Sequence, residues 1–221
     1  MLAPRPLIAT VERTGMISKW LPLIGVLVFF GIVCCWRPWL QSRRYGSSGI
    51  LFLRSGQWRQ KLRDALKVVL AVCLVGQASA AAGWPESLSP ARVIYPPEAG
   101  IWQVTGALFL FGGLVLLIIA QLHLGASWRI GIDEGTKSGL VTSGFYRFCR
   151  NPIFLAILIT LTGYTVLLPT RLSLVLLLGA FIGIRQQILT EEAYLRRTYG
   201  ESYLEYARRV GRFLPTIGRL R

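Results

Sequence analysis

Five long apolar stretches constrain this chain more than any other feature. Crossing the hydrocarbon core of a bilayer takes about 20 mostly apolar residues in a helix. Such runs occur at Ile17–Trp36, Ala65–Ala82, Ile101–Leu122, Ile153–Leu168 and Leu172–Leu189. The second is the weakest, with Lys67 near its start and Gln77 inside. Only "PTR" separates the fourth from the fifth, which predicts a tight antiparallel hairpin. The expected fold is therefore all-α: a polytopic membrane protein of about five transmembrane helices, followed by an amphipathic helical tail. A first segment lying in the interface, leaving four spans, is the alternative.

Composition agrees. Hydrophobic residues make up 53% of the 221, and charged residues only 16%, where soluble domains carry about a quarter. Basic residues outnumber acidic ones 25 to 10. On a soluble protein that excess would suggest nucleic acid. Here it reads as loops held on the cytoplasmic side and facing anionic lipid, with no nucleic-acid partner. The basic segments are Arg37–Arg63, His123–Arg150 and the tail after Leu189; the connections Gly83–Gly100 and Pro169–Arg171 carry only Arg92 and Arg171. Five spans gather the basic segments in the cytoplasm and leave the amino terminus outside, with Arg5, Arg13 and Lys19 mildly at odds. Four cysteines without a CxxC spacing and the lone His123 predict neither a disulfide framework nor a metal site. The opening residues lack the small-residue cleavage site of a secretory signal.

Polar chemistry collects in two segments, Leu124–Pro152 and Glu191–Pro215, joined by the predicted hairpin. Asn151-Pro152 is a helix start: Asn is a favoured N-cap and Pro a favoured first helical residue. A helix N-terminus suits a carboxylate or phosphate, and Arg147 and Arg150 lie beside it, one of them expected to snorkel. In the tail, Leu195, Tyr199, Tyr203, Tyr206 and Val210 recur at helical spacing. Gly200 marks a break between two short helices, or a spot where a ligand comes close to the backbone. Glu192 is placed to pair with Arg196 at i,i+4. Arg185 and Gln186 are polar within the fifth run, where snorkelling competes with function.

Taken in order, "LGASWRIGI", "GLVTSGFYRFCRNPIF" and "EEAYLRRTYGESYLEYARRVGRFLP" resemble the isoprenylcysteine carboxyl methyltransferase-like family of integral membrane methyltransferases, itself similar to phospholipid N-methyltransferases. The resemblance covers about Leu124–Pro215. It divides the chain into a transmembrane region without signature, 1–100, and a methyltransferase-like region, 101–221. It implies S-adenosyl-L-methionine as cofactor, bound from the cytoplasmic side by Tyr146, Arg150, Asn151, Pro152, Phe154, Glu191, Leu195, Tyr199, Gly200 and Tyr203. A lipophilic or small acceptor (carboxylate, thiol or amine) would be methylated at the membrane interface. Better-known members have His at position 151 and often Tyr at 154. Asn cannot act as a base, so position 151 is expected to bind rather than to transfer protons. Glu191 or Glu192 would serve as base for an amine or hydroxyl acceptor, and Arg185 or Arg208 would orient an anionic one. The expected setting is a multi-pass protein, as in a bacterial inner membrane, with its site facing the cytoplasm. Two other readings fit the same sequence: an NADPH-dependent isoprenoid or sterol reductase, and a non-catalytic membrane protein whose basic tail binds lipid.

Overall fold

The computed structural model describes residues 7–46, 49, 58–83, 100–128 and 139–219, with side chains from residue 19 onward. Arg5, Arg54, Arg92, Arg129, Lys137 and Arg221 lie outside the described residues, as does the connection 84–99; the side chains of Arg13 and Arg59 are likewise not described. The described secondary structure is helical. Helices α1 (Leu7–Phe30) and α2 (Arg37–Tyr45) are joined by a π-helical segment, Gly31–Trp36. Then come α3 (Trp58–Gly83), α4 (Gly100–Leu124), α5 (Pro152–Leu167), α6 (Arg171–Tyr199) and α7 (Glu201–Arg209).

Four stretches are long and apolar enough to cross a membrane: Lys19–Tyr45, Gln60–Gly83, Gly100–Ser127 and Arg171–Tyr199. Helix α5 is apolar but shorter, at 16 residues. The chain is a multi-pass integral membrane protein. Leucines and valines of α1, α3, α4 and α6, including Leu27, Val72, Leu108 and Leu178, face outward, as they do where the surrounding solvent is lipid. Five helices meet inside. Val26, Leu74, Ala78, Leu110, Leu161, Tyr164, Leu176 and Ala180 form one core. Ile32, Leu114, Leu117 and Ala156 form a second, nearer the polar end.

The closest helix pair is α4 with α5. A Cβ at Gly163 would stand 2.7 Å from Leu110 Cα, and one at Gly113 2.6 Å from Thr160 N. Small residues let two backbones touch, which is how helices gain van der Waals contact in lipid.

The short connection between α5 and α6 produces the predicted hairpin. Thr170 caps α6, its hydroxyl accepting from Ser173 N at 3.0 Å. Gln77, anomalous in an apolar run, is satisfied here: its amide donates to the Thr170 and Ser173 hydroxyls. Tyr164 OH donates to Leu74 O at 3.1 Å. In lipid every buried polar group needs such a partner.

Helix α6 departs from its predicted end at Leu189. It continues ten residues further as one rod, reaching Tyr199. At about 1.5 Å per residue its 29 residues extend past the hydrocarbon. Its apolar part ends at Leu189, so Glu191 and Glu192 stand beyond the span. Gly200 breaks the rod with φ 54°, ψ −126°, and α7 turns off from there.

Candidate active site

Three pieces of backbone meet at the polar end of the bundle. The first is Tyr146–Pro152, where a 3-10 turn (Gly144–Arg147) leads into α5. The second is the projecting end of α6. The third is the segment after α7, which folds back on the first: Arg150 N donates to Gly211 O at 3.0 Å, and Cys149 pairs with Gly211 in a parallel bridge. That segment is tightly wound. Gly211 N donates to Pro215 O and Arg212 N to Ile217 O, and a Cβ at Gly211 would meet Ile217 O at 2.6 Å.

Arg150 is the centre of this assembly. It is 6% exposed. Its Nη1 donates to Ala207 O at 2.7 Å and Val210 O at 3.0 Å, capping the last carbonyls around α7. Its Nη2 donates to Glu192 Oε1 at 2.9 Å and to Gly218 O at 3.1 Å. Arg212 closes the other side of the same carboxylate, with Nε to Glu192 Oε1 at 3.1 Å and Nη2 to Oε2 at 2.6 Å. Glu192 therefore pairs with Arg150 and Arg212 rather than with Arg196. Tertiary geometry offers it two charge-assisted donors, against one solvated i,i+4 neighbour. Burial alone would raise its carboxyl, but the two guanidinium groups outweigh that and hold it below the usual carboxylate range.

Asn151 ends the loop before α5, with Pro152 as first helical residue, as predicted. Its side chain does not cap the helix. Asn151 Nδ2 donates instead to Arg212 O at 3.2 Å. The tail carbonyl takes the amide, so residues 149–151 are a seam between α5 and the tail. Of the two neighbouring arginines, Arg147 is exposed and lies 4.7 Å from the Phe148 ring, while Arg150 is buried.

The aromatic stripe of the tail packs inward. Tyr203, Tyr206, Ala207 and Val210 form a buried cluster against Leu140, Leu195 and Tyr199. Tyr206 OH donates to Tyr146 O at 2.6 Å, which buries Tyr146. Burial, then the Glu191 charge, push the Tyr146 phenol upward. Tyr203 is 2% exposed, and its hydroxyl has no hydrogen-bond partner. Burial and the nearby Glu192 push it up to about 12. Arg150 Nε is also buried without a partner. These two orphaned donors flank one carboxylate.

Glu191 points elsewhere. It accepts from Gln187 Nε2 at 2.9 Å, and burial raises its carboxyl despite that bond and the Lys67 charge. Phe154 and Pro152 sit at the first turn of α5, Pro152 buried and Phe154 half-buried. Gly200 is exposed at the α6–α7 break. Arg185 is exposed on α6. Arg208 is exposed on α7 and pairs with Glu201 at 2.8 Å. So the structure gathers Tyr146, Arg150, Asn151, Glu192 and Tyr203, and leaves Arg185 and Arg208 on outer faces. Sequence reasoning missed Arg212 and Gly211. Nothing in "RRVGRFLP" distinguishes one arginine or the glycine from its neighbours.

Comparison with known proteins agrees with this architecture. The profile of the phospholipid methyltransferase family matches residues 101–202. A probable protein-S-isoprenylcysteine O-methyltransferase of Oryza sativa subsp. indica is 33% identical over 132 residues, covering 57% of this chain and 68% of that protein. The protein-S-isoprenylcysteine O-methyltransferase of Schizosaccharomyces pombe is 31% identical over 120 residues, covering 53% of this chain and 51% of that one. Among solved structures, the eukaryotic intramembrane Ras methyltransferase, an isoprenylcysteine carboxyl methyltransferase, superposes with TM-score 0.58 at 18% identity. The match covers 90% of this chain and 67% of that one, and so shares the fold. A multi-pass helical chain with this alignment belongs to the isoprenylcysteine O-methyltransferase family of integral membrane methyltransferases.

Proposed function

We propose that the chain transfers a methyl group from S-adenosyl-L-methionine to a lipophilic acceptor at the membrane surface, using the site around Arg150, Glu192 and Tyr203. The observation that carries this is the pair of orphaned buried donors, Tyr203 OH and Arg150 Nε, beside a carboxylate held between two arginines. A buried polar atom without a partner costs about 1–3 kcal/mol, and a polar ligand would repay it. The residues fit the cofactor. Its aminoacyl end has a carboxylate for Arg150 Nε and Tyr203 OH, and an ammonium for Glu192. The tyrosine faces of Tyr199 and Tyr203 suit a sulfonium. When bound, the cofactor supplies an electrophilic methyl with its leaving group attached.

The remaining work of the chain is positioning and exclusion of water. Arg150 and Arg212 fix Glu192. Tyr146, Leu195, Tyr199 and Tyr206 wall the site. Asn151 holds the tail in place and takes no proton. Glu191, whose carboxyl is raised, is the group suited to accept a proton from an amine acceptor; a thiolate or carboxylate acceptor needs none. Glu192, held below the usual carboxylate range by its two arginines, stays an anion and is not the base. The acceptor enters from the bilayer, and the site faces the cytoplasm, where the described basic residues Arg37, Arg43, Arg44 and Arg212 gather with it.

The relatives' names favour methyl transfer over NADPH-dependent reduction. Calorimetry of the purified protein in detergent tests the choice. Binding of S-adenosylhomocysteine without NADPH is expected, and NADPH binding without S-adenosylhomocysteine overturns the reading. Transfer of labelled methyl from the cofactor into a lipid extract then identifies the acceptor.

A further inference from the structure

A second buried polar cluster lies outside the site just described. Arg37 follows the π-helical segment, where the apolar run of α1 ends. It is 1% exposed. Its Nη2 donates to Gln121 O at 3.3 Å, in the last turn of α4, and to Gly125 O at 2.8 Å, in the 3-10 turn that follows. Its guanidinium lies 4.7 Å from the Trp128 ring centroid. One turn on, Gln41 is 2% exposed and donates to Ala126 O at 3.1 Å. Gln121, on α4, is also 2% exposed.

These contacts leave three atoms unserved. Arg37 Nε, Gln41 Oε1 and Gln121 Oε1 are buried without a hydrogen-bond partner. Among the described residues, Arg37 has no carboxylate to balance its charge. Capping those carbonyls accounts for Nη2 and leaves Nε and both amide oxygens unexplained. A buried charge without a counter-ion is costly, and unsatisfied buried polar atoms are uncommon. Three such atoms, on two helices joined by the bond from Arg37 to Gln121 O, call for an occupant.

The unserved atoms specify its chemistry. One is a cationic donor and two are acceptors. The complement is a head group with an anionic oxygen for Arg37 and N–H or O–H donors for the two glutamines. The surroundings specify its source. Trp39, 54% exposed with Arg43 5.2 Å from its ring, lies one helical step away. An exposed tryptophan with a basic neighbour, just past an apolar span, marks the level of lipid head groups. We propose that Arg37, Gln41 and Gln121 bind the head group of a bilayer phospholipid that carries both a phosphate and a hydrogen-bond donor. Arg37 and Gln41 lie before the part of the chain that aligns with the phospholipid methyltransferase family. The described hydrogen bonds of Arg37 and Gln41 run to Gln121, Gly125 and Ala126 and none reaches Glu192, so the cluster is distinct from the Arg150–Glu192 centre.

Thermal stability of the delipidated, detergent-solubilised chain tests this, with added phosphatidylethanolamine, phosphatidylglycerol or phosphatidylcholine. The first two offer a phosphate and a donor. The third has the phosphate but no N–H or O–H. The expected result is tighter apparent binding of the first two by about tenfold, the worth of a hydrogen bond or two at about 1.4 kcal/mol per decade. Arg37→Gln should weaken all three. Gln121→Leu removes an orphaned acceptor, so the lipid-free protein should be as stable as the parent or more so, while its preference over phosphatidylcholine falls; Gln41→Leu also loses the bond to Ala126 O, so only its lipid preference, expected to fall as well, is read. That combination distinguishes a binding role from a structural one and does not depend on Arg37→Gln folding. Equal effects of the three lipids, or an unchanged preference in both glutamine variants, overturn the proposal. So does equal stabilisation by glycerophosphoethanolamine, which has no acyl chains, because the occupant would then not be a bilayer lipid. S-adenosylhomocysteine binding, measured on the same variants, should stay at the parental level, so failure here is separable from failure of the methyl-transfer reading.

Discussion

Arg150 Nη2 and Glu192 Oε1 stand 2.9 Å apart and join the entrance of α5 to the projecting end of α6. Arg212 holds the other carboxylate oxygen at 2.6 Å. Removing one partner of a buried pair strands the other charge. Glu192→Gln should therefore destabilise the chain by about 3 kcal/mol, the usual cost of a broken buried ion pair. Denaturant unfolding in detergent measures it. The double variant Arg150→Met, Glu192→Leu should lose less than the sum of its singles, because the buried pair leaves together and the charge left behind, Arg212, has a partly exposed side chain.

The pH dependence follows from the same carboxylates. Glu192 is held below the usual range, so its stabilisation is complete above the unfolded value of about 4.3 and is lost as pH falls through the lower folded value. Glu191 is raised, so its contribution is complete below about 4.3 and is lost as pH rises through the raised value. Melting temperature against pH should therefore lose its acid-side fall in Glu192→Gln. In Glu191→Gln it should lose a decline on the higher side.

Tyr203 separates binding from folding. Its hydroxyl is buried without a partner, so Tyr203→Phe should leave the ligand-free protein as stable as the parent or slightly more so. Its affinity for S-adenosylhomocysteine should fall roughly tenfold, as for one lost hydrogen bond to a charged group. Calorimetry beside a thermal melt gives both numbers from one preparation.

Cys149 reports on the tail. Burial pushes its thiol up to about 11, and its Sγ contacts Arg212 O at 3.5 Å. It should resist maleimide at pH 8, since the thiolate is the reactive form. Gly211→Ala puts a methyl against Ile217 O and should loosen the tail. Cys149 should then label, read by mass spectrometry of its peptide, and cofactor binding should weaken with it.

The membrane-embedded half of this architecture was open to reading from sequence because lipid imposes a one-dimensional rule: a long enough apolar run becomes a helix. The hairpin followed from a three-residue gap. What the rule does not reach is where a helix ends once it leaves the bilayer. Helix α6 runs on from Leu189 to Tyr199 because its residues are good helix formers and the tail packs against it, not because they are apolar. The ordered motif pointed to Tyr146, Arg150 and Glu191 as one pocket and offered Glu192 only as an alternative base, whereas the described bonds join Arg150 to Glu192. It could not show that Glu192 prefers Arg150 and Arg212 over Arg196, or that Asn151 gives its amide to Arg212 O, because both depend on a carbonyl or guanidinium some 20–60 residues away. The π-helical turn before Arg37 left no mark in the residues either.

The α4–α5 seam has a mechanical consequence. With Gly163 against Leu110 and Gly113 against Thr160, these two helices have no slack between them. A greasy molecule cannot part them without breaking backbone contact along their length. Any lateral gate for an acceptor must open at another seam, where side chains rather than main chains meet. The α4–α5 pair would be its fixed post.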